Sequence, residues 1–227
     1  AATWPFSTAL DVRCAEVEAA FARRDPSKIA DLRQKFVNAA LRYVGTPYRK
    51  LYHDPSNPNY LPGSKLYNAP RFMDEVQLLH HIVDDLKEYF GFVLDFNSTL
   101  RHIFRLLPKE LREPDQLEPG DLIFYKVAPR PSGLLPGTSR RQGSRLLHVE
   151  IFIGGDGGHE SVSSLPWLAH ERTNRQDGVQ RFANYEMDKI ADQPVQTIHF
   201  RSLRTWLESS ETSWVHGKAM EAKRFMN

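Results

Sequence analysis

The sequence predicts an α+β fold in which N-terminal helices pack on an antiparallel β-sheet. In the first half of the chain, apolar residues recur at intervals of three and four, which is typical of amphipathic helices. In the second half, apolar and polar residues alternate, and Gly, Pro or Asp bound most of the alternating segments. Helices followed by strands indicate a layered α+β architecture rather than alternating βαβ units.

The helices are predicted from their apolar stripes and their capping residues. Ser7 and Ser27 are expected to cap the first two helices, which we expect to form a hairpin. Met73–Phe90 has the widest apolar face of the chain, and Ser98–Leu107 is a shorter helix. A last short helix is predicted over Lys218–Phe225.

Five segments with two-residue alternation are predicted to be the strands of the sheet. The glycine-rich segment Gly154–Gly158 lies between two of them, so we expect a tight hairpin there rather than a phosphate-binding loop. In chain order the predicted strands are Leu122–Val127, Leu146–Ile153, Gly158–Ser163, Val179–Phe182 and Thr197–Ser202.

The composition is that of an ordinary globular protein. Of its 227 residues, 41% are hydrophobic and 26% are charged, which argues against extensive disorder. The net charge of +2 is too small to predict nucleic-acid binding by itself. No apolar run approaches the roughly 20 residues of a membrane helix, so no membrane contact is predicted. Cys14 is the only cysteine, so an intrachain disulfide cannot form.

Four motifs follow one another between Val44 and Ser161. They are Gly45-Thr46-Pro47-Tyr48, Met73-Asp74-Glu75-Val76-Gln77-Leu78-Leu79, Pro119-Gly120-Asp121-Leu122 and His148-Val149-Glu150-Ile151. Their order resembles the NlpC/P60 family of papain-like cysteine peptidases and amidases. That family has a Gly-Thr-Pro-Tyr turn, an Asp-Cys-Ser-Gly-Leu helix start, a Pro-Gly-Asp-Leu strand and a His-Val strand. The resemblance implies a papain-like fold for this part of the chain.

The resemblance also implies which residues stand at the site of the reaction. It implies that His148 is the base, that His159 orients it, and that Tyr48 borders the nucleophile. Asp74 matches the family aspartate, and Glu75 stands where the family has its cysteine. In such enzymes, a helix N-terminus and an imidazolium keep the thiol ionised for attack. A carboxylate cannot perform this thiolate chemistry.

The chain therefore looks like an NlpC/P60-like domain that kept its fold and lost its reaction. Val76 and Gln77 also depart from the family pattern, and Cys14 lies on a separate predicted helix. We expect Glu75 and His148 to form an ion pair where thiolate and imidazolium would have stood. Neither a cofactor nor a bound metal is expected for such a pseudoenzyme.

Two other functions stay open at this point. An active hydrolase could use Glu75 directly, or a metal bound by Glu75, His148 and His159. Alternatively, an arginine-rich segment could bind RNA or an acidic surface. Its candidate binding residues are Arg130, Arg140, Arg141 and Arg145.

The predicted organisation has three parts. Residues 1–43 form a helical N-terminal extension, residues 44–205 form the NlpC/P60-like domain with a basic loop insertion at 128–145, and residues 206–227 form a C-terminal tail or helix. Protein partners are expected to contact the extension and the insertion. Resemblance to eukaryotic members implies a structural role in a larger intracellular assembly, in the cytoplasm, an organelle or a cilium.

Overall fold

The computed structural model describes residues 26–48, 73–90, 94, 98–128, 144–166, 177–190 and 192–208. The helices in these ranges are α1 (Pro26–Arg42), α2 (Glu75–Asp85), α3 (Lys87–Phe90), α4 (Leu100–Leu106) and α5 (Arg204–Leu207). The strands are β1 (Glu110–Leu111), β2 (Leu122–Val127), β3 (Arg145–Gly154), β4 (Glu160–Leu165), β5 (Gly178–Phe182), β6 (Lys189–Ile190) and β7 (Gln193–Arg201). This arrangement confirms the predicted mixture of helices and an antiparallel sheet.

The strands form an antiparallel sheet in the order β1-β7-β2-β3-β4-β5, and β6 pairs with the first residues of β7. β2 lies in the middle, because it pairs with β3 on one side and with β7 on the other. A tight turn over residues 155–158 joins β3 to β4, which confirms the predicted hairpin. Gly155 has a φ of +65°, and a Cβ there would overlap the carboxyl group of Glu160.

A hydrophobic core lies on each face of the sheet. On one face, which we call the helix side, the helices bury residues such as Phe36, Leu79 and Ile82 against Val149 and Ile151 of β3. The opposite face is covered by the segment around residues 185–190. The buried residues of the core on this second face, from the strands and from that segment, are Ile123, Tyr125, Val127, Phe152, Tyr185, Met187, Ile190 and Phe200. Because both faces are covered, the side chains in the middle of β2 and β3, at residues 122–125 and 148–152, are buried whichever way they point.

The helix-side core includes parts of the chain that the sequence assigned to flanking segments. Phe36 of α1 is fully buried, with its ring centroid 6.1 Å from that of Phe90 and 6.5 Å from that of Trp206 in α5. Trp206 Nε1 also donates a hydrogen bond to the Leu106 carbonyl at 3.2 Å. Helix α1 and helix α5 are therefore part of the domain core, rather than an extension and a tail.

Asp121, in the Pro-Gly-Asp-Leu motif, joins three elements through one buried carboxylate. Its side chain is 1% exposed. Oδ1 accepts hydrogen bonds from Arg33 Nη1 of α1 at 2.7 Å and from the Leu203 backbone N–H at 2.8 Å. Oδ2 accepts from the Glu118 backbone N–H at 2.9 Å. Asp121 therefore fixes the start of β2 to α1 and to the residue before α5.

The turn at Gly45–Tyr48 pairs with the outer side of β5. The Gly45 N–H donates to the Val179 carbonyl at 2.9 Å, and the Val179 N–H donates to the Thr46 carbonyl at 2.8 Å. Gly178 has a φ of +114°, and a Cβ on it would lie 2.2 Å from the Thr46 carbonyl oxygen. The turn can approach β5 this closely because residue 178 has no side chain.

The structure departs from the sequence-based boundaries at several elements. The predicted helix Met73–Phe90 is two helices that meet at Leu86, and β7 begins four residues before the predicted Thr197. Strands β1 and β6 were not predicted. The predicted first helix, its hairpin with α1 and the helix at Lys218–Phe225 lie outside the described residues.

Candidate functional site

The start of α2 has a capping box around Asp74, which the sequence analysis placed inside the helix. The Asp74 carboxylate accepts hydrogen bonds from the backbone N–H groups of Val76 at 3.0 Å and Gln77 at 2.9 Å. In return, Gln77 Oε1 accepts from the Asp74 N–H at 3.2 Å. These bonds satisfy N–H groups that the helix itself leaves unpaired. Asp74 and Gln77 are therefore residues that define where the helix begins.

Glu75 is the first residue of α2 and is half-buried. A carboxylate is favoured at this position because the N-terminus of a helix carries partial positive charge. The turn that holds Tyr48 lies beside it, since the Met73 N–H donates to the Pro47 carbonyl at 3.0 Å. Ser164 Oγ of β4 donates to the Met73 carbonyl at 2.7 Å. The structure thus places the backbone of the turn that holds Tyr48 beside the start of α2, which carries Asp74 and Glu75.

His148 does not belong to this region. It pairs with Tyr125 across the β2–β3 ladder, and the two rings are 5.7 Å apart. Tyr125 lies in the core on the face away from the helices, whereas the next residue of β3, Val149, lies on the helix side. Because neighbouring residues of a strand point to opposite faces, the imidazole of His148 is directed away from α2.

The ion pair predicted between Glu75 and His148 is therefore wrong. His148 instead pairs with Glu150, two residues further along β3, with Nε2 3.4 Å from Oε1. Glu150 is fully buried and accepts a hydrogen bond of 2.5 Å from Ser161 Oγ of β4. The prediction failed because the resemblance placed the imidazole on the helix side, where the strand in fact presents Val149.

His159 lies at the end of the β3–β4 hairpin and is exposed. Its backbone carbonyl accepts a hydrogen bond of 3.0 Å from the Tyr185 N–H, and its ring centroid is 5.8 Å from that of Tyr185. The described contacts of His159 are with Tyr185 rather than with His148. The structure therefore does not assemble the pair of histidines that the resemblance implies.

The proposed metal ligands do not come together either. Glu75 is at the start of α2, His148 points to the other face of the sheet, and His159 is on the hairpin. Within the described ranges, no group of three or more His, Cys, Asp and Glu side chains has an arrangement that could hold a metal ion. Glu75, His148 and His159 therefore do not form the metal site that was considered from the sequence.

The arginine-rich segment can be placed only at its end. Arg130, Arg140 and Arg141 lie outside the described residues. Arg145 is exposed at the first position of β3, and its Nη2 donates to Gln193 Oε1 at 3.2 Å. RNA or acidic-surface binding through this segment stays a prediction.

Sequence reasoning missed the role of Glu150, which lies beside His148, and of Ser161, which donates to Glu150. The alternation His-Val-Glu was a usable signal, because it places residues 148 and 150 on the same face of a strand. It also missed a group around Phe104, where Lys126, His199 and Arg201 approach one aromatic ring from β2 and β7. No sequence spacing indicates that group, because its members come from three separate elements.

Comparisons of the chain with protein-family models, with curated proteins and with solved structures gave no match. The NlpC/P60 resemblance is therefore a prediction that depends on the motifs alone. In the part of the chain that the structure describes, none of the helices is long and apolar enough to cross a membrane.

Proposed function

We propose that this chain is a catalytically inactive NlpC/P60-like domain that serves as a protein-interaction component of a larger assembly. The observation that carries the proposal is the direction of His148, whose imidazole lies on the face of the sheet away from α2. The start of α2 thus lacks both groups of a thiolate–imidazolium pair, because residue 75 is a glutamate and the imidazole of His148 lies on the other face of the sheet.

The chemistry of acyl transfer explains why this matters. A general base must lie within hydrogen-bond reach of the group that it deprotonates, about 2.6–3.2 Å between heavy atoms. His148 is 1% exposed and is held beside the buried Glu150, so it has no access to a substrate at α2. The residues that hold the framework, such as Asp74 and Asp121, keep their hydrogen bonds. This combination supports a fold maintained for contact with partners.

The hydrolase rival is tested with the full chain and a panel of peptide and amide substrates. We expect no turnover by the wild-type protein, by Glu75→Gln or by Glu75→Cys. The cysteine variant is expected to stay inactive because the imidazole of His148 is on the wrong side of the sheet to activate a thiol. Turnover by the wild type that is lost in both Glu75→Gln and His148→Ala would overturn the proposal.

The interaction role needs its own measurement. Affinity purification of the tagged full chain, followed by crosslinking and identification of the crosslinked residues, should yield the same partner chains repeatedly. We expect Glu75→Gln to retain the partners, because Glu75 is not proposed to contact them. A chain that purifies alone under mild salt, with no reproducible crosslink, would contradict an assembly role.

A further inference from the structure

One side of β7 is only partly covered by neighbouring strands. Along its first side, β7 pairs with β2 from Val195 to Arg201. Along its second side, β1 reaches only Phe200 and Arg201, and β6 reaches only Gln193 and Pro194. Residues 196–199 have no strand partner on that side among the described residues. We call these four residues the β7 gap.

The backbone N–H and C=O of Ile198, within the β7 gap, point outward. The Ser202 N–H donates to the Lys109 carbonyl at 3.0 Å, so this residue faces the second side of β7. Alternation along the strand then directs the N–H and C=O of Phe200 and of Ile198 to the same side. Phe200 pairs with β1, whereas no described hydrogen bond accounts for the outward groups of Ile198. Such groups are a template for an added strand.

Cationic side chains surround an aromatic ring beside the β7 gap. The Arg201 guanidinium lies 4.0 Å from the centre of the Phe104 ring, and Lys126 Nζ lies 5.8 Å from it. The His199 ring is 5.7 Å from the same ring. Thr197 and His199 pair with Lys126 and Phe124 across the β2–β7 ladder, so their side chains lie on the helix side with Phe104.

The cationic groups next to the Phe104 ring outnumber the carboxylates that pair with them. Glu110 Oε1 lies 2.9 Å from His199 Nδ1, and its Oε2 lies 3.7 Å from Arg201. The hydrogen bond with His199, with help from Arg201 and Lys126, holds the pKa of Glu110 below its ordinary value. Lys126 has no carboxylate partner at ion-pair distance within the described ranges. The same holds for the exposed Arg101 and Arg105 of α4, and Arg101 lies one helical turn from Phe104.

We propose that the β7 gap binds an extended acidic segment of a partner protein, which adds to the sheet as a strand. This inference rests on the interaction role proposed above and assigns it a surface. Side chains of an added strand would alternate between the two faces, and those on the helix side would lie next to Thr197 and His199. Lys126 is two strand spacings from such a strand, about 10 Å, which its long flexible side chain can bridge.

A peptide fits this surface better than a nucleic acid. The outward C=O of Ile198 requires a hydrogen-bond donor, and a peptide backbone offers donors and acceptors in the spacing of a strand. Phosphate groups supply acceptors only, and the donors of a nucleic acid, its 2′-OH and base N–H groups, do not recur at the spacing of a strand. The backbone thus favours an extended chain, and the unpaired cations favour carboxylates on it.

The test uses the full chain labelled with ¹⁵N and a capped peptide of about four residues with alternating Glu and Val, a length that matches residues 196–199. We expect the amide of Ile198 to shift and to gain protection from hydrogen exchange as the peptide is added. A peptide with Lys in place of Glu and a single-stranded RNA are the comparison ligands. Two further peptides carry N-methyl groups, one on the residues whose N–H groups would face β7 and the other on the remaining residues. Only the peptide methylated on the side that faces β7 should lose binding.

Variants test the role of the charges. Arg101→Glu combined with Lys126→Glu is expected to weaken the Glu-Val peptide about three- to tenfold per reversed charge that contacts it. Lys87→Glu makes the same exchange on α3, a helix that does not contribute to the group around Phe104. We expect it to leave the affinity unchanged. All variants are compared at one salt concentration, because exposed ion pairs are screened.

Four results would overturn the inference: unchanged exchange at Ile198 under saturating peptide, equal binding of both N-methylated peptides, equal affinity of the charge-reversed variant, or tighter binding of the RNA at this surface. Its failure is distinguishable from failure of the interaction role. If identified partners crosslink elsewhere and leave Ile198 unprotected, the role stands and the assigned surface is wrong. Cleavage of the peptide by the wild type would instead contradict the role itself.

Discussion

Replacing Asp121 tests the hydrogen-bond network that joins α1, β2 and α5. Asp121→Ala removes an acceptor of three short hydrogen bonds, from Arg33, Leu203 and Glu118. A hydrogen bond to a charged group contributes about 1.5–3 kcal/mol, but bonds to one carboxylate are not additive. Removal of one partner of a buried ion pair costs about 3–5 kcal/mol, because the other charge is left uncompensated. Since Arg33 keeps contacts with Glu118, we expect a loss near the lower end of that range.

The assay is urea unfolding followed by circular dichroism and tryptophan fluorescence, analysed for the free energy of unfolding. The free energy of unfolding of a domain of this size is about 5–15 kcal/mol, so the expected loss is a large share of its stability. Asp121→Asn preserves the shape but turns one acceptor into an NH₂ group, so we expect a loss of about 2 kcal/mol.

The matched control is Asp156→Asn, which makes the same exchange at an exposed hairpin position and should change stability by less than about 0.5 kcal/mol. A double-mutant cycle with Arg33→Met then measures the coupling of the pair directly. The reasoning would be refuted if Asp121→Asn were as stable as the control, or if the effects of the two substitutions were simply additive.

Three further predictions concern the turn contact and two titrating groups. Gly178→Ala should cost about 2–4 kcal/mol, because it adds backbone strain and a clash with the turn, whereas Gly157→Ala, with open space around it, should be close to neutral in the same unfolding assay. Burial lowers the pKa of His81, so the unfolded state takes up a proton first as the pH falls from 7 to 5. Stability should therefore decline over that range and decline less steeply in His81→Gln; equal slopes would contradict this. The pKa of Glu110 is lowered by its hydrogen bond with His199, so its stabilisation is present above its ordinary value of 4.5 and is lost as the pH falls through the folded-state pKa. The stability difference between wild type and Glu110→Gln should shrink to zero on acidification, and a constant difference would contradict the assignment.

Long elements with one clear period were predictable from the sequence, and short ones were not. β2, β3, β4 and β5 were found because each has five or more residues and lies next to turn-forming Gly, Pro or Asp residues. β1 and β6 have two residues each, which is too short for a period to be visible. The start of β7 was missed because Pro194 is unusual within a strand. It is accommodated here because it lies at the first residues of the strand.

The candidate site was predictable as a set of motifs but not as a geometry. The capping residue Asp74 follows from local chemistry, and its hydrogen bonds are those of a helix N-terminus. The direction of His148 depends on which face of β3 meets the helices. Both faces of that strand are buried, so hydrophobic alternation alone does not distinguish them. Residues 185–190, which cover the second face, are far from β3 in the sequence. The residue pattern of β3 therefore does not indicate that they cover it.

The contact between the Gly45–Tyr48 turn and Val179 limits how the molecule can join others. Residues of that turn occupy the place where a further strand would pair with Val179, so the chain itself closes this part of the outer edge of β5. The two ends of the sheet therefore differ, because the chain's own turn closes part of one end and the β7 gap lies at the other. A partner segment that adds at the β7 gap would then join the end of the sheet that the turn does not close, and the contacts of the molecule through its sheet edges would be one-sided.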